Sequence, residues 1–221
     1  MNFARSLVAG LLVCALCPTI AVGAQPGGLN IVKTVDLNTY SEDITFIRTG
    51  PHAKHVAFIE DARVMAYALT SQGNGAVKEL FDLTGRIPRD FMNGLAYMDT
   101  EKRFAIVSRQ FMDKIMVFEP NGKLQSERPI TYPAGYHVGF VEGIEYIPPD
   151  ATRYPDHLAM CAGEGDGITE PQTGDIMVLT RDGTVVKRIP LPASTWGCGG
   201  IAYREPGQLL VTGFNDSDWG I

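Results

Sequence analysis

The chain has 221 residues, of which 45% are hydrophobic and 20% charged, and its formal net charge is -6 at pH 7. This acidity, without any basic run, argues against nucleic acid or an anionic membrane surface as a partner, because both repel a negative protein. The length is sufficient for one sizeable hydrophobic core.

The N-terminus has the pattern of a secretory signal peptide. One positive charge, at Arg5, precedes the apolar residues 6–16, and small residues at 22–24 offer a cleavage site before Gln25. The apolar run is too short to span a bilayer. We therefore expect residues 1–24 to be cleaved from a secreted or periplasmic protein, without membrane attachment afterwards. An uncleaved anchor is the alternative.

The first strands of the mature chain are the least regular. Residues 30–37 are predicted to form a strand without a unit of its own, of the kind that closes a ring by joining the last sheet. Residues 55–60, 64–69 and 77–82 resemble the first, second and third strands of a four-stranded unit, with residues 83–85 as its turn.

A five-residue phrase opens three further copies of this unit. It reads Asn-Gly-Leu-Ala-Tyr at 93–97, Glu-Gly-Ile-Glu-Tyr at 142–146 and Gly-Gly-Ile-Ala-Tyr at 199–203. Short strands and turn residues follow each phrase, without a helical period. The middle copy carries an insertion at 163–174. The predicted strands are 95–97, 104–108, 114–119 and 124–130, then 144–147, 157–162, 175–180 and 185–190, then 201–203 and 209–212.

An array of four-stranded antiparallel units predicts an all-β fold, a β-propeller. The last copy has only two strands before Ile221, so we expect about three and a half blades here. Residues 25–221 would then be a partial propeller domain of a protein that is six-bladed when complete. A four-bladed ring and a β-sandwich or barrel of similar strands are the alternatives.

Successive turns of such a meander alternate between the two ends of the strands. The turns that lead into first strands therefore share one end with the turns between second and third strands, around the mouth of the central channel. Carboxylate and amide oxygens gather there, which suits a hard cation such as calcium or magnesium. Asn93 and Glu142 are the candidate metal ligands, and Glu164, Asp166, Asn215 and Asp216 the candidate ligand-binding residues. The alternative for each is a side chain that caps a strand or a turn.

Two histidines are candidates for a general base at the same mouth. His55 is predicted to lie on the turn that leads into the weakest copy, and His137 precedes Glu142. Imidazole titrates near neutral pH and can take a proton from water. The sequence has no Gly-x-Ser-x-Gly motif that would support a nucleophilic serine.

Cys161 and Cys198 remain after signal cleavage. An exported protein permits a disulfide, and these residues would meet if the second strand of one blade packs against the first strand of the next. Two buried thiols are the alternative.

The phrase at 93–97, followed by Phe-Ala-Ile-Val-Ser at 104–108, resembles blades of the SMP-30/gluconolactonase-like and NHL-type six-bladed propellers. In the lactonase group such Asn-Gly and Glu-Gly turns supply an asparagine and a glutamate to a divalent metal. The resemblance therefore implies Asn93 and Glu142 as ligands. That family places Glu-Gly before Asn-Gly, whereas this chain has the reverse order. Glu142 followed by Glu164 also resembles phytase-like and SdiA-regulated propellers.

Two main functions are consistent with these residues. The first is a secreted hydrolase of a lactone or ester that depends on calcium or another divalent cation. The second is a non-catalytic propeller that binds a small molecule or a protein through the channel mouth, with the insertion at 163–174 as its recognition loop. A purely structural array is the third possibility.

Overall fold

The computed structural model describes residues 41, 43–69, 75–88, 92–164, 173–192, 197–204 and 207–214. All of them belong to one compact unit, Ser41–Ile221. The predicted signal peptide and the predicted strand at 30–37 lie outside the described residues. In the described ranges no helix is long and apolar enough to cross a membrane.

Fourteen strands of the described chain form four antiparallel sheets, which we call blades 1 to 4. Within each sheet the strands are paired in chain order, so the first strand is innermost and the last is outermost. Blade 1 contains β1 (Ile44–Ile47), β2 (His55–Glu60), β3 (Arg63–Ala68) and β4 (Val77–Asp82). Blade 2 contains β5 (Met92–Met98), β6 (Arg103–Ser108), β7 (Phe111–Phe118) and β8 (Leu124–Pro129). Blade 3 contains β9 (Val138–Ile147), β10 (His157–Glu164), β11 (Thr173–Thr180) and β12 (Val185–Pro190). Blade 4 contains β13 (Gly197–Arg204) and β14 (Gln208–Phe214).

This arrangement is a β-propeller of four-stranded antiparallel blades, as the sequence predicted. The innermost strands are neighbours around the channel: β1 lies beside β5, β5 beside β9, and β9 beside β13. The described residues thus contain three full blades and two strands of a fourth.

The prediction for the first blade was wrong by one strand. His55–Glu60 is its second strand, and the first is Ile44–Ile47. The reason is that blade 1 departs from the repeated phrase at its two diagnostic positions. Asp43 stands where the other copies have glycine, and Phe46 stands where they have tyrosine.

Packing between blades explains the apolar composition of the strands. Side chains of β5 alternate: Leu95 and Tyr97 belong to a buried cluster shared with blade 1, whereas Ala96 and Met98 belong to one shared with blade 3. Both faces of blade 2 are therefore covered. Strands buried on both faces read as continuous apolar runs, which is why Phe-Ala-Ile-Val in β6 shows no polar alternation.

The repeated phrase encodes a β-bulge at the start of each of these inner strands. In blade 2, Met92 pairs with Ser108 and Gly94 with Val107, so Asn93 is the extra residue. The same shift occurs in β9 and in β13. A bulge changes the direction of the side chain that it carries. The first residue of each phrase is therefore turned out of the regular pleat at the channel mouth.

The glycine of the phrase permits neighbouring inner strands to approach closely. A Cβ atom on Gly94 would lie 2.6 Å from the carbonyl oxygen of Glu142 and 2.9 Å from the nitrogen of Ile144. No side chain fits in that space without displacing the backbone of blade 3. The glycine thus brings the first positions of blades 2 and 3 together.

Candidate binding site at the channel mouth

Asn93, Glu142 and Arg109 form one connected cluster, which we call the mouth cluster. The side-chain amide of Asn93 donates to Glu142 Oε2 at 3.2 Å, and the guanidinium of Arg109 forms an ion pair with Glu142 Oε1. The backbone N–H of Arg109 also donates to Asn93 Oδ1, at 3.4 Å. Each member of the cluster therefore contacts the other two.

Burial differs sharply within the mouth cluster. Asn93 and Glu142 are buried, at 4% and 8% exposure, whereas the side chain of Arg109 is 49% exposed. The guanidinium thus lies above a fixed base of one carboxylate and one amide. A ligand that arrives from solvent would meet Arg109 first.

Arg109 was missing from the sequence-based candidates. It follows β6 directly, in the turn between the second and third strands of blade 2. Its contact with Glu142 agrees with the expectation that such turns share an end with the starts of inner strands. The residue could have been found by asking which side chains lie in the short turn between the predicted strands 104–108 and 114–119.

Asp43 was also missing, and it lies directly below the mouth cluster. Its Oδ2 accepts the backbone N–H groups of Leu95, at 2.8 Å, and of Ile144, at 3.3 Å. Its Oδ1 accepts the N–H of Ile44 at 2.8 Å. The residue is 8% exposed. One carboxylate therefore connects the innermost strands of blades 1, 2 and 3.

Backbone groups on the inner edge of these strands have no further strand to pair with, so side chains supply the acceptors. Besides Asp43, Thr45 Oγ1 accepts the N–H of Tyr97 at 3.3 Å, and Glu145 Oε1 accepts the N–H of Tyr146 at 3.0 Å. Burial raises the pKa of Glu145 to about 8, and the negative charge of Asp43 adds to the increase. The channel wall thus carries a carboxyl group that is readily protonated.

The mouth cluster does not fit a divalent cation as it stands. Both carboxylate oxygens of Glu142 already have donors, and one of these is the positive charge of Arg109. The carboxylate of Asp43 is occupied by three N–H groups. Among the residues that the structure describes, no group of three or more His, Cys, Asp or Glu side chains could hold a metal ion.

The two candidate histidines do not join this cluster. His55 opens β2 and pairs with Ile47, so it lies at the end of β1 opposite to Asp43. Its expected place at the mouth was wrong because the first blade begins one strand earlier than predicted. His137 is exposed and precedes β9, on the side where the mouth lies.

Glu164 belongs to a second polar group, at the outer part of blade 3. Arg188 donates to Glu164 at 3.1 Å and to the fully buried Asp175 at 2.8 Å, and its guanidinium lies 4.8 Å from the ring centre of Tyr136. The hydroxyl of Tyr136 also donates to Asp175, at 3.1 Å. These contacts give Glu164 a structural partner. Asp166, Asn215 and Asp216 lie outside the described residues.

A disulfide joins Cys161 and Cys198, whose Cα atoms are 5.3 Å apart. Cys161 lies in the second strand of blade 3, and Cys198 in the first strand of blade 4. The bond therefore connects two blades in the way that the strand order suggested.

An ion network at the opposite end of the strands also joins blades. Glu101 contacts Arg128 at 2.7 Å, Arg181 at 3.0 Å and Arg103 at 3.5 Å. Burial alone would raise the pKa of Glu101, but the hydrogen bond and charge of Arg128 and the charges of the other two arginines outweigh it and lower that pKa. We call this the basal network.

Comparison with known proteins finds distant structural similarity. No protein family matches the sequence, and no curated protein matches it. A protein of unknown function from Bacteroides caccae is 12% identical, with a TM-score of 0.46 and 82% of this chain covered. The β-propeller domain of Cps50 (Swd1) from Myceliophteria thermophila is 18% identical, with a TM-score of 0.37 and 82% covered. Hsv2 from Kluyveromyces marxianus is 11% identical, with a TM-score of 0.41 and 83% covered.

The chain covers 56%, 51% and 65% of these three structures, so it spans about half to two thirds of their length. At such identities and TM-scores we base no argument on these structures. The resemblance to SMP-30/gluconolactonase-like propellers and the six-bladed ring remain predictions.

Proposed function

We propose that this protein is an exported β-propeller that binds a small organic ligand through Arg109 at the channel mouth. The observation that carries the proposal is the half-exposed side chain of Arg109, whose guanidinium contacts the buried Glu142 beside Asn93. Its contact with the carboxylate of Glu142 uses one terminal nitrogen, and a guanidinium has five N–H donors in a rigid fork. The remaining donors suit a carboxylate or carbonyl oxygen of the ligand.

Export is supported by the disulfide between Cys161 and Cys198, because such bonds persist in oxidising compartments. The predicted cleavage after residue 24 gives this part of the proposal its own test. Mass spectrometry of the protein recovered outside the cytoplasm should show a chain that starts at Gln25. A full-length chain retained in the cytoplasm would contradict export.

A second candidate function is a divalent-metal-dependent hydrolase of a lactone or ester. It is favoured by the proximity of Asn93 and Glu142, the ligands implied by the family resemblance. The side-chain nitrogen of Asn93 lies 3.2 Å from Glu142 Oε2. It requires Arg109 to leave Glu142, because a metal and a guanidinium would compete for the same carboxylate. A protein that docks on the mouth is the remaining alternative for the binding function.

Gluconate and its lactone distinguish these functions, since one carries a carboxylate and the other a hydrolysable ester bond. Calorimetric titration of the wild-type protein with gluconate in EDTA should show saturable binding. Calcium should leave the melting temperature unchanged. Lactone hydrolysis that appears only with calcium, without gluconate binding in EDTA, would overturn the proposal in favour of the hydrolase.

A further inference from the structure

We propose that Asp43 is the positioning residue of the mouth cluster. Its carboxylate fixes the bulges of blades 2 and 3 relative to each other and thereby brings Asn93 to Glu142. The inference rests on the proposed binding site, but it does not depend on the identity of the ligand.

Equivalent atoms of two blades meet on this one carboxylate. Leu95 and Ile144, whose N–H groups Asp43 accepts, each lie two residues after the cluster residues Asn93 and Glu142. A displacement of either N–H group would move the bulge before it. The carboxylate therefore sets the spacing of the two bulges directly, through the backbone of the residues that carry the site.

Asp43 is itself held in place from blade 1. Its carbonyl oxygen accepts the N–H of Ile59 at 3.2 Å and the hydroxyl of Ser41 at 2.9 Å. Oδ1 accepts the N–H of the next residue, Ile44. Because its carbonyl oxygen and one carboxylate oxygen are bonded within its own segment and blade 1, the carboxylate is preorganised before any contact with blades 2 and 3.

The chemistry of this position requires a carboxylate. Three N–H groups point at Asp43, and an ionised carboxylate offers only acceptors. An asparagine would turn one NH2 group toward a backbone donor, so at least one of the three bonds would be lost.

The test uses 15N-labelled wild-type protein and the variant Asp43→Asn. The readout is the side-chain amide signal of Asn93, assigned by its loss in Asn93→Ser, together with the backbone amides of Leu95 and Ile144. We expect all three to shift in Asp43→Asn. We also expect the dissociation constant for gluconate to rise about tenfold, as for the loss of one hydrogen bond to a charged group.

Asp175→Asn is the matched control, because Asp175 is a fully buried aspartate that is bonded to Arg188 and Tyr136, outside the mouth cluster. It should leave the Asn93 signal in place although it destabilises the fold. If Asp43→Asn does not fold, Ser41→Ala removes only one anchor of the Asp43 carbonyl and should shift the same signals by less.

Unchanged signals of Asn93 in the folded Asp43 variant, or equal shifts in the Asp175 control, would overturn the inference. If Asp43→Asn does not fold, unchanged signals in Ser41→Ala would overturn it as well. The absence of gluconate binding in wild-type protein would count against the proposed function only. The amide shifts would still decide whether Asp43 positions Asn93.

Discussion

The side-chain amide of Asn93 donates a hydrogen bond to Glu142 across 3.2 Å, and thereby joins equivalent positions of two neighbouring blades. Both residues are the first of their five-residue phrase, and both stand at a β-bulge. The candidate site is therefore built by the starts of inner strands, where Asn93 and Glu142 are buried. Such a site should be stiff, and its residues should affect stability as well as binding.

Replacement of Asn93 should show this double role. Asn93→Ala removes one donor from Glu142 Oε2 and the acceptor of the Arg109 N–H, at a position where Asn93 and Glu142 are both buried. We expect the free energy of unfolding to fall by about 1–3 kcal/mol, the cost of leaving buried polar groups without partners. Urea denaturation measures it. Asn121→Ala, at an exposed turn, is the control and should cost clearly less; an equal loss would contradict the cluster.

The close approach of inner strands makes a glycine substitution informative. In Gly94→Ala the new methyl group would lie 2.5 Å from Val107 Cγ2 and 2.6 Å from the carbonyl oxygen of Glu142. We expect a loss of about 1–3 kcal/mol, as for overpacking of a core, in urea denaturation. Gly200→Ala places a methyl group 3.0 Å from only the hydroxyl of Thr212, which can rotate, and should cost less. The reverse order would refute this explanation of the phrase.

The disulfide should contribute strongly to stability. Cys161 and Cys198 are 37 positions apart. A cross-link that closes a loop of that length lowers the entropy of the unfolded chain and so raises its free energy by about 4 kcal/mol. The variant with alanine at both positions should therefore unfold at lower urea concentration than the wild type. Dithiothreitol should lower the wild-type midpoint and leave the variant unchanged. Identical midpoints for oxidised wild type and variant would mean that the bond does not constrain the chain.

Two glutamates should make the stability of the fold depend on pH in opposite directions. Glu145 has its pKa raised from 4.5 to about 8, so the folded state binds its proton more tightly than the unfolded state. Stability should then fall as pH rises from about 4.5 to 8. Glu145→Gln should remove this loss and be more stable than wild type at pH 8, with little difference near pH 4.5. Urea denaturation across this pH range measures the effect.

Glu101 serves as the counterpart, because its pKa in the folded state is lowered from 4.5 by the arginines of the basal network. The stabilisation that Glu101 contributes is fully present above its pKa in the unfolded state. It is lost as the pH falls through its lower pKa in the folded state. Glu101→Gln should therefore be less stable than wild type at pH 7, and the difference should shrink below pH 4.5. A difference that stays constant with pH in both variants would exclude titration as the cause.

The sequence was sufficient to identify the repeat, but not to identify which strand comes first in blade 1. Gly94 and Gly143 are required wherever inner strands approach closely, so the phrase is visible without a structure. In blade 1 the same position is Asp43, whose carboxylate accepts the backbone N–H groups of Leu95 and Ile144 in the neighbouring blades. A carboxylate thus replaced the residue that would have identified the strand. That substitution also put His55 at the wrong end of the channel.

Contacts between blades were the other feature that was hard to predict from the sequence. Arg109 meets Glu142 across a separation of 33 residues, and no local period of the chain reports such a distance. The cysteine pair could be predicted because each cysteine lies in or beside a clearly predicted strand. Arg109 instead follows the end of a strand, and the ends of strands are the least certain part of a prediction from sequence. Asn93 and Glu142 could be predicted to lie close together because each opens the repeated phrase, and the β-bulge falls at the start of that phrase.

The most direct test of the proposed site is a calorimetric titration of gluconate, in EDTA, into wild-type protein and into Arg109→Gln. Arg181→Gln is the control, since Arg181 belongs to the basal network at the other end of the strands. We predict saturable binding to wild type and to the control, and at least a tenfold weaker affinity for Arg109→Gln. Equal affinity of all three proteins, or no binding by any of them, would contradict a ligand site built on Arg109.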